Sequence, residues 1–487
     1  MDEDDDPLIS IITVNYNGKK FLNSLFGSIL NLNYPSEKIQ IIMVDNGSSD
    51  GSVDFVEKKF PQVEIISLSQ NIGYSGGNNE GFRKAKGSYI ALINNDCIVE
   101  EDWLSEMLPI FKQSSNNLHI GAVGSKAVFS HPYLPVRFIT ISASPGELKK
   151  GKDYKRLGVK IYDVEILNVE NEESINKNST NNSIENNFNS FKKGSITSSD
   201  IKYLDGFYPA ASDSKGNVYR WTQNDAILAV PLENQNKDIE MQFMVSSYLS
   251  PNNLQIVISE EIIYDIEVKE ELEKVKIKIP KEFFSFRKDI INSCGVKVNK
   301  SFYSRDRGYL SFDEGQYGGI EEVFALSGSS LLINRKMLED VGYFDENFFM
   351  YYEDVDLFWR ARLKGWRMFF TPKSVVRHFH CGTGKEWSYS FTYHVIRNRL
   401  LMIFKCGWLL LVLRCYTSFV LSTLMHCILY AANVLIGRRI KRIDIPIRIR
   451  IFFELFYMLP KNLGARFKIR IGRKVPDKII KSWMRSF

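Results

Sequence analysis

Two neighbouring stretches, SGSSLLINR (residues 327–335) and VGYFDENFFMYYEDVDLFWRARLKGW (residues 341–366), hold the densest mixture of acidic and aromatic residues in the chain. The apolar run 331–333 predicts a buried strand. The aromatic run 348–352 leads into an acid-rich segment, which predicts a helix from Glu353 that ends at Gly365 in a left-handed cap. We expect Asp356 to pair with Arg360 one turn further on.

Three acids, Glu353, Asp354 and Asp356, fall within four residues at the start of this helix. Capping is one explanation, because first-turn carboxylates complement the positive end of the helix dipole. The other is that one of them is a general base, since a carboxylate in a partly dry cleft can stay ionised and take a hydroxyl proton. The residue pattern leaves both open. The aromatic side chains expected to wall such a cleft are Phe349, Tyr351, Tyr352 and Trp359.

The first hundred residues repeat one pattern of apolar strand, polar loop and helix. Apolar runs at 8–14, 39–44, 63–68 and 89–93 predict strands buried in a parallel sheet. Loops rich in Asn, Asp and Gly follow each of them, at 15–18, 45–52, 71–78 and 94–96. This rhythm predicts a doubly wound α/β sheet whose ligand lies at the carboxyl ends of the strands.

The chemistry of these loops is that of a nucleotide site. Asp45 can accept hydrogen bonds from a base or ribose, and Gly73, Gly76 and Gly77 would let the backbone approach a bulky ligand. Asp96 offers hard oxygen ligands to a divalent cation that also holds a diphosphate. Each loop by itself could simply be a good turn. The chain has neither G-x-G-x-x-G after its first strand nor G-x-x-x-x-G-K-[ST], which argues against a nicotinamide or flavin site and against a P-loop NTPase.

These motifs resemble those of a known enzyme family. The loops VNYNG (14–18), VDNGSSDGS (44–52), NIGYSGGNN (71–79) and NND (94–96) look like the donor half of family 2 glycosyltransferases of the GT-A fold, closest to the rhamnosyltransferase-like branch. Gly328, FDE (344–346), YYEDVD (351–356) and RNR (397–399) look like its acceptor half. The resemblance covers residues 7 to about 130 and about 287 to 400.

The resemblance implies an inverting sugar transfer from a nucleoside-diphosphate sugar. Asp45 would bind base and ribose, Asp96 would bind Mg²⁺ or Mn²⁺, and Asp354, with Glu353 beside it, would be the catalytic base. The family's D-x-D motif begins here with Asn94, which offers a carbonyl oxygen and no charge, so Asp96 becomes more critical. The further donor-binding residues that the resemblance implies are Thr13, Asn15, Asn46, Ser48, Asn71, Gly73, Gly76, Asn78, Asn94 and Asn95. Its implied acceptor-binding residues are Gly328, Tyr352 and Trp359.

Two histidines, His378 and His380, follow another predicted strand at 368–370. Relatives often carry a histidine here, and a neutral imidazole at His378 could complete the metal shell. His378 and His380 would share one face of an extended strand, which suits a ligand pair and suits a surface equally.

The family pattern disappears between residues 131 and 284. A tract rich in Asn and Ser (168–200) predicts a mobile loop, and its N-x-[ST] sites at Asn178 and Asn181 carry no meaning without export. Short alternating runs between 218 and 279 predict an inserted β-sandwich. Tyr208, Tyr219 and Trp221 could stack on a glycan, although we favour a place for them in the sandwich core. The predicted domains are 1–130 for the donor half, 131–284 for the insert, 285–399 for the catalytic half and 400–487 for a helical tail.

The tail is apolar and then basic. Residues 415–436 contain no charged side chain and are long enough to span a bilayer, and RRIKR (438–442) follows them. An amphipathic hairpin in the membrane interface is the interpretation we favour, with a spanning helix close behind and a soluble tail last. The net charge of +6 combines an acidic start (residues 2–6) with fifteen Lys/Arg against three acids in residues 431–487, which points to an anionic membrane more than to nucleic acid. We expect no nucleic-acid partner.

Composition agrees with a cytoplasmic enzyme of two or three domains. The 487 residues are 44% hydrophobic and 25% charged, and six cysteines show no C-x-x-C spacing, so we expect free thiols. The start of the chain lacks the pattern of an export signal. The sequence therefore predicts a metal-dependent inverting glycosyltransferase at the cytoplasmic face of the membrane, acting on a glycan or lipid-linked glycan. The alternatives are a glycan-binding scaffold that has lost catalysis and a sugar nucleotidyltransferase, which would need a Gly-, Arg- and Lys-rich loop after the first strand.

Overall fold

The computed structural model describes residues 6–112, 119–144, 147, 155–168, 201–213, 215–232, 237–379, 388–435 and 444–484. The chain divides into two compact units. One comprises Met1–Ser130, Ile291–Tyr309 and Glu314–Phe487, and the other comprises His131–Ile290 and Leu310–Asp313. The predicted Asn/Ser-rich loop at 169–200, His380 and the basic run 438–442 lie outside the described residues.

The amino-terminal part of the first unit alternates strands and helices. Its elements are β1 (Ile9–Asn15), α1 (Lys19–Leu30), β2 (Ile39–Asp45), α2 (Ser52–Lys59), β3 (Val63–Ser67), α3 (Gly73–Lys84), β4 (Tyr89–Ile93), β5 (Cys97–Val99), α4 (Leu108–Lys112) and β6 (Ile120–Phe129). The four strands predicted within the first hundred residues are present, with ends that differ by at most one residue.

The strands of this part are apolar on both faces because a core covers each face of the sheet. Ile11 of β1 packs in one cluster with Leu22 and Leu25 of α1, whereas Ile12 packs in the other with Phe82 of α3. Phe26 and Ile29 complete the buried face of α1, whereas Leu30 at its end is 47% exposed.

The second unit contains two five-stranded antiparallel sheets around an apolar core. Its strands are β7 (Tyr133–Thr140), β8 (Val159–Asn168), β9 (Lys202–Tyr203), β10 (Ala211–Ser212), β11 (Val218–Trp221), β12 (Asp225–Pro231), β13 (Ile239–Ser247), β14 (Asn252–Ile258), β15 (Glu261–Val268) and β16 (Glu273–Ile279). One sheet has the order β10-β11-β8-β13-β16, and the other has the order β15-β14-β7-β12-β9. The predicted β-sandwich is therefore correct, but the predicted runs did not include β7 to β10.

The aromatic side chains that we assigned to the sandwich core lie outside it. Tyr208, Tyr219 and Trp221 are each partly exposed and do not belong to the core cluster. The ammonium of Lys160 lies 4.9 Å from the ring centre of Tyr219 and 5.0 Å from that of Trp221, so a cation–π contact already engages both rings. The preference for a core position was wrong because the alternation along β11 turns these rings to the outer face.

The rest of the first unit completes the sheet and then becomes helical. Its elements are β17 (Ile291–Ser293), β18 (Val296–Val298), β19 (Ser304–Asp306), β20 (Glu321–Glu322), β21 (Ser330–Asn334), α5 (Arg335–Val341), α6 (Glu353–Leu363), β22 (Arg367–His378), α7 (Tyr389–Cys406), α8 (Leu409–Leu435), α9 (Asp444–Tyr457), α10 (Leu459–Ile471) and α11 (Asp477–Ser482). The strand predicted at 368–370 extends over twelve residues.

The main sheet is mixed, with the order β20-β22-β6-β21-β4-β1-β2-β3. Strands β1 to β4 are parallel, and the antiparallel β21 joins β4 to β6. The chain runs from β1 outward to β3 and then returns to the other side of β1 with β4. The carboxyl ends of β1 and β4 therefore flank a topological switch point, where α/β sheets bind their ligands.

The stretch at 341–366 folds as its sequence predicts. Helix α6 begins at Glu353, Arg360 Nε lies 2.8 Å from Asp356 Oδ2, and Gly365 has a φ of +96°. The amide of Trp366 donates to the carbonyl of Ala361, which closes the left-handed cap. Asp356 is fully buried, so it is a structural residue and not a solvated cap.

A buried lysine neutralises Asp356. Lys405 is 2% exposed, and its Nζ lies 2.9 Å from Asp356 Oδ1 and 2.6 Å from Asp345 Oδ2. Residues 400–403 beside it are at most 1% exposed, so α7 is a core helix of this unit.

Replacing Lys405 with methionine should destabilise the protein strongly, because the substitution removes the buried cation of Asp345 and leaves the fully buried Asp356 paired with Arg360 alone. The expected loss is about 3 to 5 kcal/mol, which corresponds to a Tm lower by roughly 5 °C or more. Thermal unfolding followed by circular dichroism would measure it. Lys364→Met is the matched control, since Lys364 pairs with Asp340 at 3.0 Å while about 30% of each side chain is exposed, and we expect it to cost about 1 kcal/mol or less. Equal Tm values for the two variants would contradict this role of Lys405.

Helix α8 is a long apolar helix of the described chain. Its 27 residues have a mean hydropathy of 1.6 in their most apolar window, of which 11% is buried, so by length and composition it could cross a membrane. It starts at Leu409 and includes Arg414, six residues earlier than the segment that we predicted. The described cysteines, Cys97, Cys294, Cys406, Cys415 and Cys427, are free thiols.

Candidate active site

Asp96 and His378 meet at the end of two neighbouring strands. Residues 97–99 of β5 pair with 376–378 of β22, and His378 Nε2 lies 3.2 Å from Asp96 Oδ1. Ligand atoms of Asp96, Cys97 and His378 all lie within 4.8 Å of one another, and all three residues are buried. The sequence left two positions open for His378, a metal ligand or a surface residue. The structure places it beside the predicted metal ligand Asp96.

The donor set fits a hard divalent cation. His378 Nδ1 lies 3.0 Å from Asn292 Oδ1, an amide oxygen that can only accept, so an Nδ1–H that donates to it would leave Nε2 to bind a metal. Burial and the Asp96 carboxylate raise the pKa of the Cys97 thiol well above its usual value, which keeps the thiol neutral and a poor ligand for Mg²⁺ or Mn²⁺. Asp96 and His378 would therefore hold the ion. Asn292 had no recognisable motif in the sequence.

The first two strand-end loops are tied together by side chains. Asn15 Nδ2 donates to Asp45 Oδ1 at 3.0 Å and to Ser48 Oγ at 3.2 Å, and the Ser48 amide donates to Asp45 Oδ2. Asn95 Nδ2 donates to Asn15 Oδ1 at 2.9 Å. A Cβ on Gly18 would lie 2.1 Å from Asn95 Nδ2, so glycine is required where these loops meet.

The third loop is fixed in the same way. Asn46 Nδ2 donates to Asn71 Oδ1 and to the carbonyl of Gly73, both at 3.0 Å. Gly73 has a φ of +82°, and a Cβ there would lie 2.5 Å from the carbonyl oxygen of Phe349. This carbonyl also accepts from the amide of Ser75 at 3.1 Å. The glycine thus lets the donor loop touch the segment that precedes α6.

Burial separates the predicted donor-binding residues into two groups. Those that are at most 9% exposed are Thr13, Asn15, Asp45, Asn46, Gly73, Gly76, Asn78 and Asn95. Those that keep exposed surface are Ser48, Asn71 and Asn94. Asp45 is 2% exposed and already accepts two hydrogen bonds, so in this conformation it shapes the loop and offers little surface to a base. Thr13 Oγ1 is buried without a hydrogen-bond partner and is the group of this set that a ligand would satisfy.

Asp354 is held at the start of α6 with part of its surface exposed. Its Oδ2 accepts from the amide of Gly328 at 3.0 Å and its Oδ1 from the amide of Val355 at 2.7 Å. Loss of hydration raises the pKa of Asp354 to about 6 against these two hydrogen bonds, and the charge of Asp306 adds to the rise. The carboxylate is therefore ionised at neutral pH and basic enough to take a proton.

Glu353 has a different environment from its neighbour. It is 7% exposed, and its Oε2 has no hydrogen-bond partner. Burial and the adjacent charge of Asp354 raise the pKa of Glu353 well above its usual value. Adjacent, interacting carboxyl groups favour a state with one shared negative charge. That charge belongs on Asp354, because Asp354 is partly exposed and accepts two hydrogen bonds, whereas Glu353 is buried.

Tyr74 connects the metal side to the catalytic side, although it was not among the residues predicted for the site. Its hydroxyl donates to the carbonyl of Gly328 at 2.7 Å. Burial raises its pKa well above the usual value, and the negative charge of Asp354 raises it further. The next residue along, Ser329, accepts at its carbonyl from the Asn94 amide and from Cys97 Sγ. Residues 328–329 therefore contact both Asp354 and the turn that carries Asp96.

The structure does not place the two predicted acceptor aromatics on an open surface. Trp359 is fully buried, and its ring stacks on Phe302 with centroids 3.8 Å apart and an angle of 4°. Tyr352 is 6% exposed, and its hydroxyl accepts from the amide of Ser304. Both pack in the core behind α6, because helix periodicity turns Trp359 inward with Val355. Gly328 stays at the site through its contact with Asp354.

The backbone before Asp354 is strained, and one side chain holds it. Phe349, Tyr351 and Tyr352 have φ values of 62°, 68° and 70°, in the left-handed region that bulky residues disfavour. Asn398 Nδ2 lies 2.8 Å from three carbonyl oxygens of this segment. They belong to residues Phe348, Met350 and Tyr351. Asn398 is fully buried, so its amide fixes the turn that aims Asp354.

Asn398→Leu should lower kcat about tenfold to a hundredfold, because a small displacement of the turn misplaces Asp354. Steady-state kinetics would show the fall with a donor KM changed less than threefold. Asn462→Leu is the control, since this buried asparagine on α10 donates only within its own helix, to the carbonyl of Met458. Both variants should lose some thermal stability, but only Asn398→Leu should lose turnover. Unchanged kcat in Asn398→Leu would remove the positioning role.

Two family models match the chain. Residues 10–172 match the model described as "Glycosyl transferase family 2", and residues 300–395 match "Glycosyltransferase like family 2". The second match contains Gly328 and the whole of α6, and the first contains the loops after β1 to β4.

Curated relatives and solved structures carry similar descriptions. An "Uncharacterized glycosyltransferase" of Haemophilus influenzae is 33% identical over 22% of this chain and 44% of its own length. The "Putative teichuronic acid biosynthesis glycosyltransferase TuaG" of Bacillus subtilis is 29% identical over 22% and 44%. The mannosyltransferase PcManGT from Pyrobaculum calidifontis, solved with GDP-Man and Mn²⁺, is 10% identical over 98% of this chain and 79% of that one, with a TM-score of 0.36. The matches span less than half of these curated relatives.

Proposed function

The chain belongs to glycosyltransferase family 2 and has its GT-A fold, and on this premise we propose that it transfers a sugar from a nucleoside-diphosphate donor to a glycan or lipid-linked acceptor with inversion. The observation that carries the proposal is the position of Asp354. Its carboxylate binds the Gly328 amide, and the same segment contacts the turn of the metal-ligand candidate Asp96. The resemblance to the rhamnosyltransferase-like branch extends the proposal to rhamnose or another hexose as the sugar.

The reaction that this geometry supports is a single displacement. Asp354 takes the proton of the acceptor hydroxyl while the acceptor oxygen forms a bond to the anomeric carbon. The bond from that carbon to the diphosphate oxygen breaks, and the nucleoside diphosphate leaves with its electron pair. A divalent cation held by Asp96 and His378 would supply positive charge to the diphosphate when bound. Gly328 orients Asp354, and the loops after β1 to β3 bind the nucleoside.

The carboxyl-terminal helices support a membrane location. Large apolar side chains are exposed along α8, for example Leu410 at 72% and Ile428 at 63%, and along α9, where Phe456 is 74% exposed. Contiguous apolar surface of this extent is typical of a protein that meets a membrane. We therefore place the enzyme at the cytoplasmic face of the cell membrane, beside a lipid-linked acceptor used for a cell-surface glycan.

A donor panel tests the proposed function. The purified chain would be incubated with UDP-, GDP- and dTDP-sugars and Mn²⁺, with and without a lipid-linked glycan, and nucleoside diphosphate release would be measured. We expect one donor to show release that depends on the acceptor and on the cation. Binding of glycan without release from any donor would favour the alternative, a scaffold that has lost catalysis.

A further inference from the structure

A second polar site lies among the carboxyl-terminal helices, away from the residues assigned to catalysis. It is a pocket of about 160 Å³ lined by arginines from three helices: Arg399 of α7, Arg414 of α8 and Arg448 of α9. The loop residues Ser301 and Tyr303 and the α8 hydroxyls of Ser418 and Ser422 complete the part of the lining that matters here. We call this site the arginine pocket.

Among the described residues, Arg399 and Arg414 donate to neutral groups. Arg399 donates to the Ser301 carbonyl at 2.6 Å, and Arg414 donates to the Lys300 carbonyl at 2.7 Å and to Ser301 Oγ at 2.9 Å. Arg448 donates to Ser422 Oγ at 3.0 Å. Within the part of the chain that the structure describes, neither Arg399 nor Arg414 pairs with a carboxylate. The charge of the pocket is therefore open to an anion.

Arg399 gives the independent sign of a ligand. It is only 6% exposed, and its Nε has no hydrogen-bond acceptor among the described residues. The guanidinium carbon lies 3.9 Å from the ring centre of Tyr303, which orients the side chain without neutralising it. A buried guanidinium without a counter-charge is costly, so we expect an anion to compensate it.

The surroundings indicate an anion attached to an apolar chain. Arg414 lies on α8 directly after Leu413, which is 52% exposed, and Leu410 and Leu421 on the same helix are 72% and 65% exposed. Phe452 and Phe453 extend the apolar surface on α9, four and five residues after Arg448. Guanidinium forks and hydroxyls are the groups that bind phosphate oxygens well. We propose that the arginine pocket binds the phosphate group of a lipid.

A hydrogen bond connects the pocket loop to the turn before Asp354. Ser304 lies three residues after the pocket residue Ser301, and its amide donates to the hydroxyl of Tyr352 at 3.1 Å. Tyr352 is the N-terminal cap residue of α6, which carries Asp354 two positions later. A phosphate in the pocket would thus hold the lipid beside the catalytic half. Two sources fit this chemistry: the phosphate of a polyisoprenyl acceptor, which rests on the proposed function, and the headgroup of a bilayer phospholipid, which does not.

Lipid binding in micelles of an uncharged detergent tests this inference, because such micelles have no surface potential. Native mass spectrometry of the full chain would be run with added polyisoprenyl phosphate, with phosphatidylglycerol and with inorganic phosphate alone. We expect one lipid bound per chain, and affinity about tenfold lower in Arg399→Gln and in Arg414→Gln, since each removes a charge-assisted hydrogen bond. Lys468→Gln, an exposed lysine on α10, is the charge-matched control and should change affinity less than twofold.

The two lipids separate the sources. Preference for polyisoprenyl phosphate would assign the pocket to the acceptor, and equal binding of phosphatidylglycerol would assign it to the membrane surface. The inference is overturned if wild type binds neither lipid one to one, if the arginine variants bind as wild type does, if Lys468→Gln loses as much affinity as they do, or if inorganic phosphate binds as tightly as either lipid. Nucleoside diphosphate release by wild type in the donor panel is independent of these results, so the pocket can fail while the proposed function stands.

Discussion

Asp354→Asn is expected to lower kcat about a thousandfold and to leave the Kd of the donor within twofold. Asparagine has nearly the same shape and can still accept the Gly328 hydrogen bond, but it cannot take a proton from the acceptor. General bases contribute about 10² to 10⁴ in rate. Stopped-time assays of sugar transfer and calorimetric titration of the donor would measure the two quantities.

Glu353→Gln is the comparison variant for this prediction. Because burial and the neighbouring charge of Asp354 raise the pKa of Glu353 well above its usual value, the wild-type side chain favours its neutral form. Glutamine keeps the shape and the neutral state, so we expect less than a tenfold fall in kcat. A fall in Glu353→Gln as large as in Asp354→Asn would show that the base has been assigned to the wrong carboxylate.

The pH dependence of wild type and of Asp354→Asn adds a second test of the catalytic base. Wild-type kcat/KM should fall about tenfold per unit below pH 6, since the pKa of Asp354 is raised to about 6 and its protonated form is inactive. The raised pKa also means that the folded state favours protonated Asp354. The protonated side chain therefore contributes fully to the stability of the fold below about pH 4, and this contribution is lost as the pH rises through 6. Asp354→Asn should therefore have a Tm equal to or above that of wild type at pH 8. A lower Tm would indicate that misfolding causes the loss of activity.

Asp96→Asn should remove most of the Mn²⁺ binding and lower kcat by at least about a hundredfold, since it eliminates the carboxylate of a two-residue ligand set. Electron paramagnetic resonance of free Mn²⁺ would give the affinity without any turnover. Asn292→Ala should weaken Mn²⁺ binding by about tenfold to a hundredfold, because the His378 ring then loses the acceptor that orients it.

Cys97→Ala controls for the metal site. The thiol lies within 4.8 Å of the other two ligand atoms, but it is kept neutral by burial, so its loss should alter Mn²⁺ affinity less than twofold. A large loss in Cys97→Ala, or unchanged Mn²⁺ binding in Asp96→Asn, would contradict the assignment of the ion to Asp96 and His378.

The sequence predicts much of the main sheet because its signals are local. The runs before Asn15, Asp45 and Asn94 are apolar on both faces, and only strands covered by two layers read in this way. Helix α6 is predictable for the same reason, since its acids, its Arg360 pair and Gly365 all lie within thirteen residues. The resemblance to family 2 glycosyltransferases also depends on short local motifs, so it is recognisable from the sequence.

The errors concern burial and partners far apart in sequence. Asn46 and Asp45 have the composition of ligand-binding residues, yet they are buried because the loops bind one another. Trp359 stacks on Phe302, 57 residues away, and no local pattern reports that contact. Tyr74, Asn292 and Asn398 act through neighbours between 47 and 254 residues away, which is why sequence reasoning did not select them.

The most direct measurement is a crystal structure of the chain soaked with Mn²⁺ and the donor that the panel identifies. We expect an anomalous peak for Mn²⁺ within bonding distance of Asp96 Oδ and His378 Nε2. The sugar's anomeric carbon should lie between the diphosphate and Asp354. Mn²⁺ bound elsewhere, or Asp354 remote from the face of the sugar opposite the diphosphate, would contradict it.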